Sequence, residues 1–148
     1  MPSERVVDFY NCHSFAIVGM SRSNKNIGWA IYDQLAALGK QVYAVNPKGG
    51  EFEGVRFYRT LDMLPESPEA VIVCMLPDNT REVLESVYES DAKYVWFQQG
   101  SFDDDVLAVA ARLGLDPIKG CAMMYMPDTV FFHKLHRTIN ELLGKGYK

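Results

Sequence analysis

Short apolar runs alternate with helix-like segments along this sequence, and this alternation limits the folds open to the chain. Buried parallel strands are typically short, nearly continuous apolar runs, and the spacing between the runs here suits helices. The predicted strands are residues 15–18, 41–45, 70–76, 93–97 and 115–118, with a weak strand or hairpin-like excursion at 51–58. Strands that alternate with helices predict an α/β protein. We expect a three-layer, doubly wound parallel sheet of about five strands, in the order 3-2-1-4-5.

The first strand leads through a glycine and a polar loop into a helix that begins near Ile27. First-turn N–H groups have no partner within a helix, and the helix dipole favours negative charge there. The sequence therefore predicts a phosphate-binding corner. A polar loop that caps its own helix is the alternative. The candidate residues are Gly19, Met20, Ser21, Arg22, Ser23, Lys25 and Gly28.

The residues after the second strand narrow the identity of the phosphate ligand. The dinucleotide pattern G-x-G-x-x-G needs glycines at Gly19, Ser21 and Asn24, and two are missing. An NAD site also needs an acidic residue after the second strand, where this chain has residues 46–48, Asn-Pro-Lys. A lysine suits a ribose phosphate. The P-loop pattern is absent. NADP and coenzyme A remain.

Several spaced motifs together carry a family resemblance. They are Gly19-x-Ser21-x-x-x-Lys25-x-x-Gly28, then Val-Asn-Pro-Lys-Gly-Gly at 45–50, Gly54, Tyr58, and Val-Trp-Phe-Gln-Gln-Gly at 95–100. This set resembles the stand-alone CoA-binding domain family, which is similar to the N-terminal CoA-binding domain of the succinyl-CoA synthetase α subunit. The resemblance extends over residues 14–121. It implies a Rossmann-like fold and binding of CoA without an established reaction.

Individual residues at the strand ends are assigned roles in this site, and the resemblance supports the role of Lys48, because the synthetase domain has a matching lysine at the equivalent turn. Lys48 is expected to contact the ribose 3′-phosphate of CoA. Asn46 and Pro47 are expected to shape the turn that carries Lys48, since proline fixes φ and removes a donor. Leu76 and Pro77 are expected to pack on the adenine or the pantetheine arm.

Gln98 and Gln99 follow the fourth predicted strand. Their amide groups suit the amides of pantetheine, and the resemblance implies that this segment lines the arm. Adjacent residues of an extended segment point to opposite sides, so only one of the two is expected to face the ligand.

Composition excludes several classes of protein. A length of 148 residues predicts a single domain over 1–148. The net charge of −4 argues against a nucleic-acid partner. The three cysteines are odd in number and lack C-x-x-C spacing, which favours a reducing, cytoplasmic location. The N-terminus lacks a signal-peptide layout, and no apolar run approaches the roughly 20 residues that span a membrane.

The end of the chain holds the residues that could support catalysis. Cys121 with His133 or His136 could form a nucleophile or part of a metal site. The spacing of these three residues matches no known ligand pattern, so we assign no catalytic or metal-binding residue. Residues 123–126, Met-Met-Tyr-Met, form an apolar patch suited to core filling, the thiol end of CoA or a subunit contact.

We therefore expect a module that binds CoA or acyl-CoA rather than an enzyme. Its protein partner would be a second copy of the chain or a partner enzyme. The first alternative is a small NADP-dependent oxidoreductase, in which Tyr125 or His133 would have to donate a proton. The second is an interaction domain with a vestigial pocket.

Overall fold

The structure is a computed structural model that describes residues 3–126. Its helices are α1 (Glu4–Tyr10), α2 (Ile27–Ala37), α3 (Pro77–Glu89) and α4 (Asp104–Leu113). Its strands are β1 (Ser14–Val18), β2 (Gln41–Val45), β3 (Gly50–Phe52), β4 (Val55–Tyr58), β5 (Ala70–Val73), β6 (Tyr94–Gln98) and β7 (Ile118–Gly120). Two 3₁₀ turns cover Leu61–Met63 and Ala122–Tyr125. Among the described helices, none is long and apolar enough to cross a membrane.

The strands form one mostly parallel sheet in the order β3-β4-β2-β1-β5-β6-β7. Only the β3–β4 pair of the described sheet is antiparallel. The fold is therefore α/β and Rossmann-like. The predicted sheet of five strands in the order 3-2-1-4-5 is wrong, because the described sheet has seven. The weakly patterned residues 51–58 form most of a hairpin that turns at Glu53 and Gly54, both with positive φ, and β4 takes the place beside β2.

The chain after β5 turns into helix earlier than the sequence suggests. The apolar run continues to Leu76, but β5 ends at Val73 and α3 begins at Pro77, with Leu76 at the N-cap position. Proline is well suited to the first position of a helix because its fixed φ is helical and no N–H is lost from the ladder. The end of the run thus becomes the rim of the sheet rather than strand.

Alternate residues of each strand pack into two separate cores. Phe15 and Ile17 of β1 share a core with α1 and α2, while Ala16 and Val18 share the other core with α3 and α4. Side chains of a strand alternate between its faces, so continuous apolar strands require cover on both sides. The result is the predicted three-layer arrangement.

Helix α1 anchors the segment that follows β7. Phe9 is fully buried and contacts the rings of Tyr10, Phe15 and Trp96 at centroid distances of 5.0–5.4 Å. The Tyr10 hydroxyl donates to the carbonyl of Ala122. The N-terminal helix therefore fixes the chain next to the end of β6, where part of the predicted site lies.

Candidate functional site

The order of the strands reverses at β1, and this places a crevice at one edge of the sheet. Helix α2 connects β1 to β2 on one face, whereas α3 follows β5 on the other face. In open α/β sheets ligands bind at the carboxyl ends of the strands beside such a reversal. Gly19, Asn46, Leu76 and Gln98 all lie at this edge, after or at the ends of β1, β2, β5 and β6.

Gly19 is where the backbone passes between two neighbouring strand ends. Its N–H donates to the carbonyl of Val45 at 3.0 Å, and its φ is 98°. A Cβ atom at this position would lie 2.5 Å from the carbonyl oxygen of Cys74. No side chain fits there without moving the backbone, so glycine is required by both φ and contact.

Part of the loop after Gly19 caps itself. The Ser21 hydroxyl accepts the N–H groups of Ser23 and Asn24, each at 3.2 Å. The Asn26 side chain accepts the N–H of Gly28 at 3.0 Å and caps α2. Among residues 3–126, the N–H groups of Met20, Ser21 and Arg22 have no acceptor. The self-capping alternative thus describes the second half of the loop, and the first half keeps free donors.

Two side chains orient those free donors. Asn46 Nδ2 donates to the carbonyl of Met20 at 3.0 Å, and Trp29 Nε1 donates to the carbonyl of Ser21 at 2.8 Å. In a trans peptide the carbonyl and the next N–H point in opposite directions. The N–H groups of Ser21 and Arg22 are therefore turned away from Asn46 and Trp29. Successive backbone N–H groups in a turn conformation are one of the arrangements that bind anions in proteins.

The side chains of this loop have different surroundings. Met20 is fully buried in the α2 core, so only its backbone can meet a ligand. Gly28 is buried at the start of α2, where a Cβ atom would lie 3.1 Å from Asn26 Oδ1. Ser23 is exposed. The absence of a side chain at Gly28 thus lets the start of α2 pack closely against the loop.

Three cationic side chains lie on this loop or on the turn after β2. Lys25 Nζ lies 5.4 Å from the centre of the Trp29 ring. Arg22 reaches the hairpin, where its Nη2 lies 3.5 Å from the carbonyl of Glu51. Lys48 is exposed, and its backbone N–H donates to Asn46 Oδ1 at 2.9 Å, which fixes the turn as predicted for Asn46. None of the ion pairs found within residues 3–126 uses these three cations.

An apolar cavity of about 360 Å³ lies between the ends of β1, β2 and β5, on the face of the sheet that α3 covers. The sequence pointed to only one wall residue, Pro47. Nothing in the sequence indicates that Met75 and Val83 line a cavity. Met75 lies in an apolar run and Val83 on the apolar face of a helix, and both patterns predict core residues. The walls are mainly Val18, Val45, Pro47, Leu61, Met75 and Val83.

A larger groove of about 710 Å³ lies between the Thr60–Pro68 segment and α3. Its walls carry several exposed carboxylates, among them Glu66, Glu82, Glu85 and Glu89. Like charges repel, so this groove disfavours a phosphorylated ligand despite its size.

The two glutamines after β6 have opposite environments, as the extended geometry predicts. Gln98 is fully buried, and its Oε1 accepts the N–H of Ala122 at 2.9 Å. Its Nε2 has no partner within residues 3–126. Gln99 is exposed. Leu76 is 62% exposed at the N-cap position of α3, and Pro77 is the first residue of that helix.

The cysteines are placed as core residues rather than nucleophiles. Burial, and then the neighbouring Cys121, raise the pKa of the Cys74 thiol, so Cys74 stays protonated at neutral pH. Cys121 is buried beside it. No cluster of three potential metal ligands occurs within the described part of the chain. His133 and His136 lie outside the described residues.

We expect the three thiols to be protected in the folded protein, because Cys12, Cys74 and Cys121 are all buried. Titration with a thiol-reactive dye should label none of them rapidly at neutral pH, and should label three per chain in denaturant. Rapid native labelling of Cys74 or Cys121 would contradict their assignment to the core.

Comparison with known proteins identifies the family of this chain. The sequence model of a family described as "CoA binding domain" matches residues 13–127. The chain belongs to this CoA-binding domain family. The match includes the loop after β1, the turn after β2 and the ends of β5 and β6, which are the four segments gathered at the carboxyl edge.

Relatives of this CoA-binding domain have related folds, and one of them has a named activity. The α subunit of an ADP-forming acetate–CoA ligase II from Pyrococcus furiosus is 26% identical over 88 residues. That match covers 59% of this chain but only 19% of the ligase subunit. A hypothetical protein from Pyrococcus horikoshii superposes with a TM-score of 0.74 at 27% identity, covering 84% of this chain and 89% of that one. A conserved hypothetical protein from Pyrococcus furiosus gives 0.63 at 26% identity, covering 73% and 92%.

Proposed function

We propose that this chain binds coenzyme A or an acyl-CoA at the carboxyl edge of its sheet, as a binding or regulatory module. Membership of the CoA-binding domain family supports the ligand class. The observation that carries the details is the pair of N–H groups of Ser21 and Arg22, held outward by Asn46 and Trp29. They lie at the same strand ends as an apolar cavity of about 360 Å³.

The proposed pose divides CoA among the neighbouring features of the edge. The diphosphate binds the N–H groups after Gly19, with Arg22 and Lys25 supplying positive charge. The adenine enters the apolar cavity, whose volume falls within the range of roughly 300–1,000 Å³ found for ligand pockets. The pantetheine arm then passes Leu76 and reaches Gln99. Neighbouring strands are about 4.8 Å apart, so this path from β1 to β6 crosses about 10 Å.

The turn after β2 favours CoA over NAD. An acidic residue at this point would hold the free hydroxyls of the adenosine ribose. Here Asn46 bonds two backbone groups, Pro47 lines the cavity, and the exposed Lys48 follows Pro47 directly. This arrangement suits the 3′-phosphate that distinguishes CoA from dephospho-CoA.

A direct test is titration calorimetry with CoA, dephospho-CoA, NADP and NAD. We expect CoA to bind most tightly and NAD most weakly. An exposed charge contact contributes about 0.2–1 kcal/mol, so Lys48→Ala should weaken CoA binding up to about fivefold and leave dephospho-CoA unchanged. Lys40→Ala is the matched control, because Lys40 precedes β2 at the opposite edge of the sheet.

Three outcomes of this titration and of thermal denaturation with the same ligands would each contradict part of the proposal. Tighter binding of NADP, with oxidation of NADPH by a carbonyl substrate, would establish the oxidoreductase alternative. Equal affinities for CoA and dephospho-CoA in the unmodified protein would remove the assignment of Lys48. If none of the four ligands shifts the melting temperature, the vestigial-pocket alternative is favoured, since a ligand that binds the folded state must stabilise it.

Replacing Asn46 with alanine should damage the loop and the turn together. The change removes the donor to the Met20 carbonyl and the acceptor of the Lys48 N–H. Each hydrogen bond contributes about 0.5–1.5 kcal/mol, so unfolding should become easier by about 1–3 kcal/mol. We also expect weaker binding of both CoA and dephospho-CoA. Asn79→Ala on the exposed face of α3 is the control. If the Asn46→Ala variant binds CoA and dephospho-CoA as tightly as the unmodified protein, Asn46 does not orient the N–H groups of the loop.

We further propose that any reaction belongs to a partner enzyme or to the bound acyl group. The burial of Cys74 and Cys121 supports this, and the acetate–CoA ligase relative is named as a subunit. Mass spectrometry of small molecules that copurify with the protein would distinguish CoA from a particular acyl-CoA. Sedimentation of the purified chain would then distinguish a second copy from a different partner.

A further inference from the structure

We propose that Arg59 is a second residue that recognises the 3′-phosphate, and that its side chain also forms one wall of the adenine cavity. This inference rests on the proposed binding of CoA and deepens it. The motif-based prediction did not include Arg59, because nothing in its sequence surroundings distinguishes it from other surface cations.

Strand pairing brings Arg59 to the turn that carries Lys48. Strand β4 ends at Tyr58 and runs parallel to β2. The N–H of Asn46 donates to the carbonyl of Tyr58 at 2.9 Å. Arg59 is therefore the residue that leaves the sheet beside the Asn46–Lys48 turn, although the two segments are well separated in sequence.

Gly49 holds the stem of Arg59 in place. A Cβ atom on Gly49 would lie 2.9 Å from Arg59 Cγ and 3.2 Å from its Nε, so the arginine stem crosses directly over this glycine. Gly49 is buried although Lys48 and Gly50 on either side are exposed. Arg59 Nη1 lies 3.5 Å from the carbonyl of Pro47. The guanidinium is thus positioned against the turn.

The two ends of the Arg59 side chain suit two parts of one ligand. Arg59 lines the apolar cavity together with Val45 and Pro47. Long cationic side chains pack their stems on apolar surface and keep their charged ends in water. An adenine in the cavity would contact the stem, and the ribose attached to it would lie at the mouth, near the guanidinium and Lys48.

The guanidinium is available for this role. Arg59 takes part in none of the ion pairs found within residues 3–126. Its planar group can bind two phosphate oxygens at once, whereas a lysine provides a single point charge. We therefore assign most of the selectivity for CoA over dephospho-CoA to Arg59, with Lys48 in a supporting role.

The test compares the affinities of the whole chain for CoA and dephospho-CoA by calorimetry. Arg59→Gln should reduce the CoA preference by roughly tenfold, because a charge-assisted hydrogen bond is lost at a partly exposed site. Arg59→Lys should keep part of it. Arg56→Gln is the matched control: it removes the same charge from β4, where Arg56 lies over the Tyr58 ring and outside the cavity.

A second variant moves Arg59 without changing any charge. Gly49→Ala would place a methyl group against the arginine stem, so it should lower the CoA preference in the same direction as Arg59→Gln. Gly54→Ala controls for backbone strain, because Gly54 also has a positive φ but has no atom within 4 Å of the added Cβ.

The outcomes separate this inference from the proposal beneath it. The phosphate role of Arg59 is refuted if the Arg59→Gln variant keeps the full preference for CoA over dephospho-CoA. It is also refuted if the variant loses the same affinity for both ligands, as loss of adenine packing alone would cause. In either case the proposed binding of CoA stands. If the unmodified protein binds neither ligand, the proposed function itself fails.

Discussion

Replacing Gly19 with alanine is expected to abolish CoA binding and to destabilise the fold by about 2–5 kcal/mol. The φ of 98° costs a side chain about 1–2 kcal/mol. The added Cβ would also lie 2.5 Å from the Cys74 carbonyl oxygen, a backbone atom that moves only with β5. Forcing extra volume into packed structure costs about 1–3 kcal/mol.

Gly39→Ala separates these two terms. Gly39 ends α2 with a φ of 81°, and no atom lies within 4 Å of a Cβ built there. The free energy of unfolding of this control should therefore fall only by the cost of a side chain at positive φ, about 1–2 kcal/mol, and the variant should bind CoA normally. Urea denaturation gives the stabilities, and calorimetry gives the affinities. If the two variants lose the same stability and Gly19→Ala still binds CoA, the close passage of Gly19 between strand ends is not essential.

Replacing Phe9 with alanine is expected to cost about 3–5 kcal/mol, the usual range for removing a fully buried phenylalanine. Phe9 is the residue of α1 that contacts Phe15, Trp96 and Tyr10 together. At this chain length each kcal/mol lowers the melting temperature by about 2–4 °C, so a fall of about 6–20 °C should be seen.

Val7→Ala is the control for Phe9 on the same helix, because Val7 is 46% exposed. It should shift the melting temperature by only a few degrees. Added CoA should raise the melting temperature of both variants, because the proposed CoA site is formed by the carboxyl ends of the strands and not by α1. A Phe9→Ala shift no larger than that of Val7→Ala would show that α1 is not part of the cooperative core.

The strongest agreement between sequence and structure lies in local features. The run at residues 15–18 with Gly19 and a polar loop already predicts a strand, a turn and a helix start, because neighbouring residues determine these features. The opposite environments of Gln98 and Gln99 follow from the alternation of any extended chain. The hairpin was predicted only as a weak strand or a hairpin-like excursion, because β3 has only three residues and no apolar pattern.

The amino-acid sequence alone determined the α/β class, the gathering of strand ends at one edge and the turn that carries Lys48, since each follows from local pattern and chain direction. The tertiary structure alone decided which N–H groups stay free, which apolar residues line the cavity, and that Arg59 meets Gly49. Each of these depends on contacts between segments distant in sequence. The residues next to Met75 and Arg59 in the sequence do not indicate these contacts. The segments that Met75 and Arg59 contact come close to them only when the strands pair.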